Sequence, residues 1–130
     1  MRWRLRLGTD ANNTEWRRQL SRTYHRRGEV ALRAQLVDDA RGWYEQAQTV
    51  RQALAAAAPS NAECQRELCA VLVMIAQVAR APQDRIAALT DARAIYTRLQ
   101  RDGAFRDDAE FARIGAGLEM LTGTCLAATP

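Results

Sequence analysis

Apolar positions recur at three- and four-residue intervals along almost the whole chain, the spacing that lines one face of an α-helix. Trp16, Leu20, Tyr24 and Gly28 run at intervals of four and continue into Ala31 and Leu32. Val37, Ala40, Tyr44, Ala47, Val50 and Leu54 form a second stripe. Cys64, Leu68, Leu72, Ile75, Ala76 and Ala79 form a third, and Ile86, Leu89, Ala92, Tyr96 and Leu99 a fourth. Phe111, Ile114, Leu118, Leu121 and Cys125 begin a fifth. Only residues 2–7 alternate with period two. The pattern predicts five helices near residues 13–34, 36–57, 61–80, 82–101 and 107–127. The punctuation agrees. Pro59-Ser60-Asn61 breaks one helix and caps the next, because Ser and Asn side chains accept from free N–H groups. Pro82 suits a first helical position. Asp102-Gly103 closes a helix, with Gly taking the left-handed turn. Short turns between consecutive helices require antiparallel neighbours.

The stripes repeat. Asn13-Thr14-Glu15-Trp16-Arg17-Arg18-Gln19-Leu20 matches Asn61-Ala62-Glu63-Cys64-Gln65-Arg66-Glu67-Leu68 in Asn, Glu, Arg and Leu, at an offset of 48. A weaker third copy, Asp108-Ala109-Glu110-Phe111-Ala112-Arg113, follows at a further offset of 47. Between them, Asp39-Ala40-Arg41-Gly42-Trp43-Tyr44 pairs with Asp91-Ala92-Arg93-Ala94-Ile95-Tyr96. Repeated helix pairs of this kind stack. The expectation is a single all-α domain over residues 1–130, with units at about 13–60 and 61–107 and a partial unit at 108–130.

Composition sharpens this. The chain has 130 residues, 48% of them apolar, with 25 Ala against 7 Gly and 3 Pro, which favours helix and excludes a disordered or collagen-like chain. All 19 cations are Arg. Residues 1–33 carry nine Arg against Asp10, Glu15 and Glu29, a local excess of six positive charges, and the remainder is slightly acidic. Cys64, Cys69 and Cys125 are too few and too unevenly spaced for a disulfide framework or a zinc knuckle, so reduced thiols are expected. The start lacks the uninterrupted apolar run of a signal peptide, which points to the cytoplasm.

The small and aromatic positions resemble the tetratricopeptide repeat. Tyr24 and Gly28 match the marks of its first helix, and Ala40, Tyr44 and Ala47 those of its second. Leu72 and Ala76, then Ala92, Tyr96 and Leu99, continue the match, and Gly123 falls in the third unit. The long period, with Trp16 to Leu20 and Pro59 through Leu68 as helix starts, is similar to the extended repeats of bacterial multidomain signalling proteins. Arg27 departs from the family's apolar preference, and Cys64 and Phe111 stand in place of Trp. The resemblance implies a short α-solenoid acting as a non-enzymatic protein-binding scaffold, its concave face lined by the first helices. Large residues such as Trp16, Tyr44, Tyr96 and Phe111 are then core fillers. The concave positions are Arg22, His25, Glu29, Leu32 and Arg33, then Val73, Gln77 and Arg80, then Met120 and Thr124. Because guanidinium forks pair with carboxylates, the expected partner is a protein or peptide with an acidic segment or a terminal carboxylate. Open solenoid ends also permit self-association.

Catalytic chemistry has little to work with. The single His25 has no partner nearby in sequence and reads as a surface residue. There is no Gly-rich phosphate loop and no Lys. Asp38-Asp39 and Asp107-Asp108 sit at helix starts, where carboxylates complement the helix dipole. No enzyme activity, small-molecule substrate, metal or cofactor is expected. The alternative is a nucleic-acid binder using Arg17, Arg18, Arg22, Arg26, Arg27 and Arg33 with Trp3 and Trp16. Membrane attachment is not expected.

Overall fold

The structure, a computed structural model, describes residues 10–123. The alternating segment at 2–7, Thr124 and Cys125 lie outside them. Five helices follow in order: α1 (Asp10–Arg33), α2 (Val37–Ala57), α3 (Ala62–Val78), α4 (Pro82–Arg101) and α5 (Ala109–Thr122). No strand occurs among the described residues. The fold is all-α, as the stripes predict, and the helices pack in adjacent pairs.

The helix ends follow local chemistry. Asn61 and Asp108 occupy equivalent repeat positions and cap in the same way. Asn61 accepts from the Cys64 amide at 3.1 Å, and Asp108 from the Phe111 amide at 2.9 Å. Their counterpart Asn13 lies inside α1 and caps no helix start there. The α4 terminus closes through Gly103 N–H to the Gln100 carbonyl and Ala104 N–H to the Leu99 carbonyl, with Gly103 left-handed at φ 75°. The α1 terminus makes the same two bonds, with Gln35 in the left-handed position at φ 65°. Gly123 also serves as a left-handed cap, at φ 72°, and not as the small packing residue of a third unit. That role falls to Gly115, which backs onto the Tyr96 ring.

Contacts fix the sense of each pair. In α1 and α2, Gly28 meets Tyr44 while Ser21 meets Arg51, so the helices are antiparallel. In α2 and α3, Arg41 Nε donates to the Val78 carbonyl at 2.8 Å and Arg51 Nη1 to the Glu67 carbonyl at 3.0 Å, again antiparallel. Cys69 Sγ donates to the Ala92 carbonyl at 3.3 Å between α3 and α4. Burial pushes the Cys69 thiol up to about 12, so it remains a protonated donor. Tyr96 stacks on Phe111 at 4.3 Å between α4 and α5. The core runs through all five helices, from Ala31, Ala40 and Tyr44 to Leu118.

Several large apolar residues do not join it, among them Trp16, Val37 and Ile86 of the predicted stripes. Trp16, expected as a core filler, is exposed, because the helix that would cover its face of α1 is absent from the described chain. Ile86, the fifth residue of α4, is also exposed. No helix among the described residues is long and apolar enough to cross a membrane.

Gly28 is required by close approach. A Cβ there would lie 2.6 Å from Tyr44 Cε1, and that ring is wholly buried. Gly28→Ala gains roughly 1 kcal/mol of helix propensity but overpacks the core at a cost of about 1–3 kcal/mol. A net destabilisation of up to about 2 kcal/mol is expected in urea unfolding. An unchanged or higher midpoint would show that the Tyr44 ring has room to move.

Candidate functional site

The repeated arginines join one unit to the next. Arg18 Nη2 lies 3.0 Å from Glu63 Oε1, between α1 and α3. Its counterpart Arg66 places Nη1 3.6 Å from Glu110 Oε1 and 3.2 Å from Asp108 Oδ2, between α3 and α5. Glu63 and Glu110 are themselves equivalent in the repeat, so one ion pair occurs at both junctions.

A polar node is buried beneath the first junction. Arg51 of α2 is buried, with Nε 3.1 Å from Ser21 Oγ and Nη1 3.1 Å from His25 Nδ1 and 3.0 Å from the Glu67 carbonyl. A guanidinium only donates, so His25 Nδ1 accepts and the neutral ring carries its proton on Nε2. That nitrogen faces Glu29 Oε2 at 3.7 Å. Burial, then the Arg51 charge, pushes His25 down to about 4, so the ring is neutral at physiological pH. Burial also pushes Arg51 down to about 10, opposed by Glu67, and Arg51 stays charged. Burial acts to raise the Glu67 carboxyl, but Arg18, Arg51 and Arg22 outweigh it and hold the group below the usual carboxylate range. Glu67 Oε2 accepts from Arg22 Nη2 at 3.0 Å and from Arg18 Nη2 at 3.3 Å. Its other oxygen, Oε1, is buried with no partner among the described residues.

Above this node the first helices α1, α3 and α5 bound a groove with a cavity of about 390 Å³. Arg22, His25, Arg26 and Glu29 enter from α1, Arg66 and Glu67 from α3, and Glu110 and Ile114 from α5, with Arg51 at the floor. Charges of both signs alternate there, and most are already paired. Arg26 has no ion pair or hydrogen bond among the described residues, and Glu29 has only the 3.7 Å approach of the neutral His25 ring.

The structure brings together only part of the predicted face. Arg22, His25 and Glu29 line the groove. His25 is not a simple surface residue, because it is mostly buried against Arg51 and packs edge-on to Tyr44 at 5.4 Å. Val73 is buried in the core, where α5 passes over it. A Cβ on Gly117 would sit 3.2 Å from Val73 Cγ1. Gln77 and Arg33 are exposed and lie outside the groove cavity. Arg80 also lies outside it and pairs with Asp38 at 3.0 Å, while Asp38 also binds Arg41 at 2.7 Å. Leu32 packs against the core, and Met120 is exposed but does not line the cavity. Arg22 is not an independent surface charge, because its pairing with Glu67 makes it part of the junction.

Arg51, Arg66, Glu67 and Glu110 escaped the sequence reading as groove residues. A signal for Arg51 was present: positions 40, 44, 47, 51 and 54 form an unbroken four–three run, with Arg51 in the place assigned to Val50. Val50 is in fact only half-buried. No family model, curated protein or solved structure matches the chain.

Proposed function

We propose that the protein is a non-enzymatic, tetratricopeptide-like interaction module of the cytoplasm that holds an acidic segment of a protein partner in the groove across α1, α3 and α5. The carrying observation is Arg26, a guanidinium with no ion pair or hydrogen bond among the described residues, at the edge of a groove where Arg22 and Arg66 already hold carboxylates and Arg51 is bonded at the floor. A partner carboxylate binds Arg26 first and then competes with Glu110 for Arg66. The repeated Arg–Glu junction supports the solenoid reading, because equivalent residues make equivalent contacts. The nucleic-acid alternative loses ground on α1, where Arg18 and Arg22 are tied to Glu63 and Glu67 and Arg27 lies over the Trp43 ring at 5.1 Å.

A labelled hexaglutamate peptide tests the groove, with hexalysine as its counterpart. Amide NMR shifts are expected in the middle of α1 and near Arg66 and Glu110. Arg26→Ala is expected to weaken the acidic peptide about tenfold, the loss of one charge-assisted bond. Equal binding of hexalysine, or indifference to Arg26→Ala, would overturn the assignment.

A further inference from the structure

The repeat permits a position-by-position comparison of its first helices. One face of α3 carries Cys64, Val71 and Val78 at intervals of seven, and all three are buried. Helix α2 lies along that face, as its bonds to the Val78 and Glu67 carbonyls show. On α5 the equivalents Phe111 and Leu118 are buried as well. On α1 the same positions are Trp16, Thr23 and Val30. Trp16 is 54% exposed where Cys64 is 4% and Phe111 5%, and Val30 is 57% exposed where Val78 is 2%. The α1 face is therefore built like a unit junction whose covering helix is missing among the described residues.

Beside this stripe lies an apolar recess of about 580 Å³, with Val30, Ala31, Leu36 and Trp43 in its walls. Its chemistry departs from the closed junction in one respect. Where α3 has Met74 and Ile75, α1 has Arg26 and Arg27. Both border the recess, and among the described residues Arg26 has no ion pair or hydrogen bond and Arg27 has its contact with the Trp43 ring alone. Asp39 is the single acid in the lining. An apolar floor bordered by two guanidinium groups that hold no carboxylate among the described residues selects an apolar stripe flanked by carboxylates. It disfavours a basic one, including the Arg-rich residues 2–6 of this chain.

We infer that the Trp16–Thr23–Val30 face of α1, with its adjoining recess, docks an acidic amphipathic helix of a partner protein, laid as α2 lies on α3. This surface meets the acidic-peptide groove at Arg26, which borders both, but its own basis is the exposed Trp16–Val30 face, which the groove does not include.

The test uses the full chain and a 20-residue synthetic helix with leucine at alternating three- and four-residue intervals and glutamate on both flanks. Its lysine-flanked counterpart is the control. Binding by calorimetry is expected to favour the acidic helix at least tenfold, as roughly one effective charge contact requires. Val30→Asp and Arg27→Glu are each expected to weaken it about tenfold. Val30 is exposed, so the uncharged Val30→Ser, which adds no carboxylate four residues from Arg26, is expected to weaken the acidic helix while leaving hexaglutamate binding unchanged, which separates this surface from the groove. Absence of binding at millimolar peptide overturns the inference, as does equal affinity for the lysine helix or indifference to Val30→Asp. Two further results reassign the occupant and also overturn it. One is a sedimentation dimer dissolved by Val30→Asp, which would make the occupant a second copy. The other is peptide affinity raised tenfold by Trp3→Asp with Leu5→Asp, which would make it the chain's own first residues.

Discussion

Replacing Glu67 with alanine is expected to destabilise the protein by about 3–5 kcal/mol, the cost of removing one partner from a buried ion pair. Glu67 is the anion on which the first junction closes. Arg18 and Arg22 both bond its Oε2, and it opposes the burial of Arg51 more strongly than Glu110 does. Without it the Arg51 guanidinium is left buried with neutral acceptors, Ser21 Oγ, His25 Nδ1 and a backbone carbonyl, and with the weaker influence of Glu110 across the groove. Glu67→Gln keeps hydrogen-bond acceptors without the charge, so it should fall between the wild type and Glu67→Ala. Adding Arg51→Met to Glu67→Ala should recover part of the loss, since the stranded cation is then gone and residues in one network do not add. Urea unfolding of the four proteins forms the measurement. A loss below about 1 kcal/mol for Glu67→Ala would place the node in effective contact with water.

Stability is also expected to fall on acidification through His25. Its pKa is about 4 in the folded chain against a usual 6.5, so the unfolded state binds more protons between those values. The contribution is complete above pH 6.5 and is lost as pH falls through 4. It amounts to about 3 kcal/mol, at roughly 1.4 kcal/mol for each pH unit. The cause is local: Nδ1 already accepts from Arg51, so a second ring proton would face a cation, with Glu67 the weaker opposing influence. Glu67 adds a loss of the same sign at lower pH, because its folded pKa is depressed. His25→Asn keeps an acceptor for Arg51 and removes the titration. Its unfolding free energy should therefore be flatter between pH 6.5 and 4 than that of the wild type. Parallel curves for the two proteins would show that His25 does not carry the dependence.

Much of the scaffold can be read along the chain, because helix propensity and the three–four period are local. The stripes through Tyr44, Leu72 and Tyr96 locate three helices, and Asn61, Gly103 and Asp108 mark boundaries by capping chemistry that needs only neighbouring residues. The groove is less legible. Arg22, His25 and Glu29 share a face of α1, but the same reasoning puts Val73 there, and the crossing of α5 that buries it involves residues more than forty positions away. Gln35 occupies a left-handed cap without being glycine or asparagine, so its conformation leaves no compositional mark.

What the sequence determined by itself is the all-α class, the number and approximate extent of the helices, and a repeat whose arginine and glutamate recur at matching places. These follow from periodicity and from side chains that act on their own backbone. The tertiary structure decided which polar residues are buried and which apolar ones are not. Arg51 became the centre of the polar node and Trp16 a surface residue, opposite to what their types favour. The reason is that burial belongs to the pair of surfaces that meet. Arg51 is covered because α1 and α3 close over α2 with acceptors in place, and Trp16 is open because no described helix lies against its side of α1.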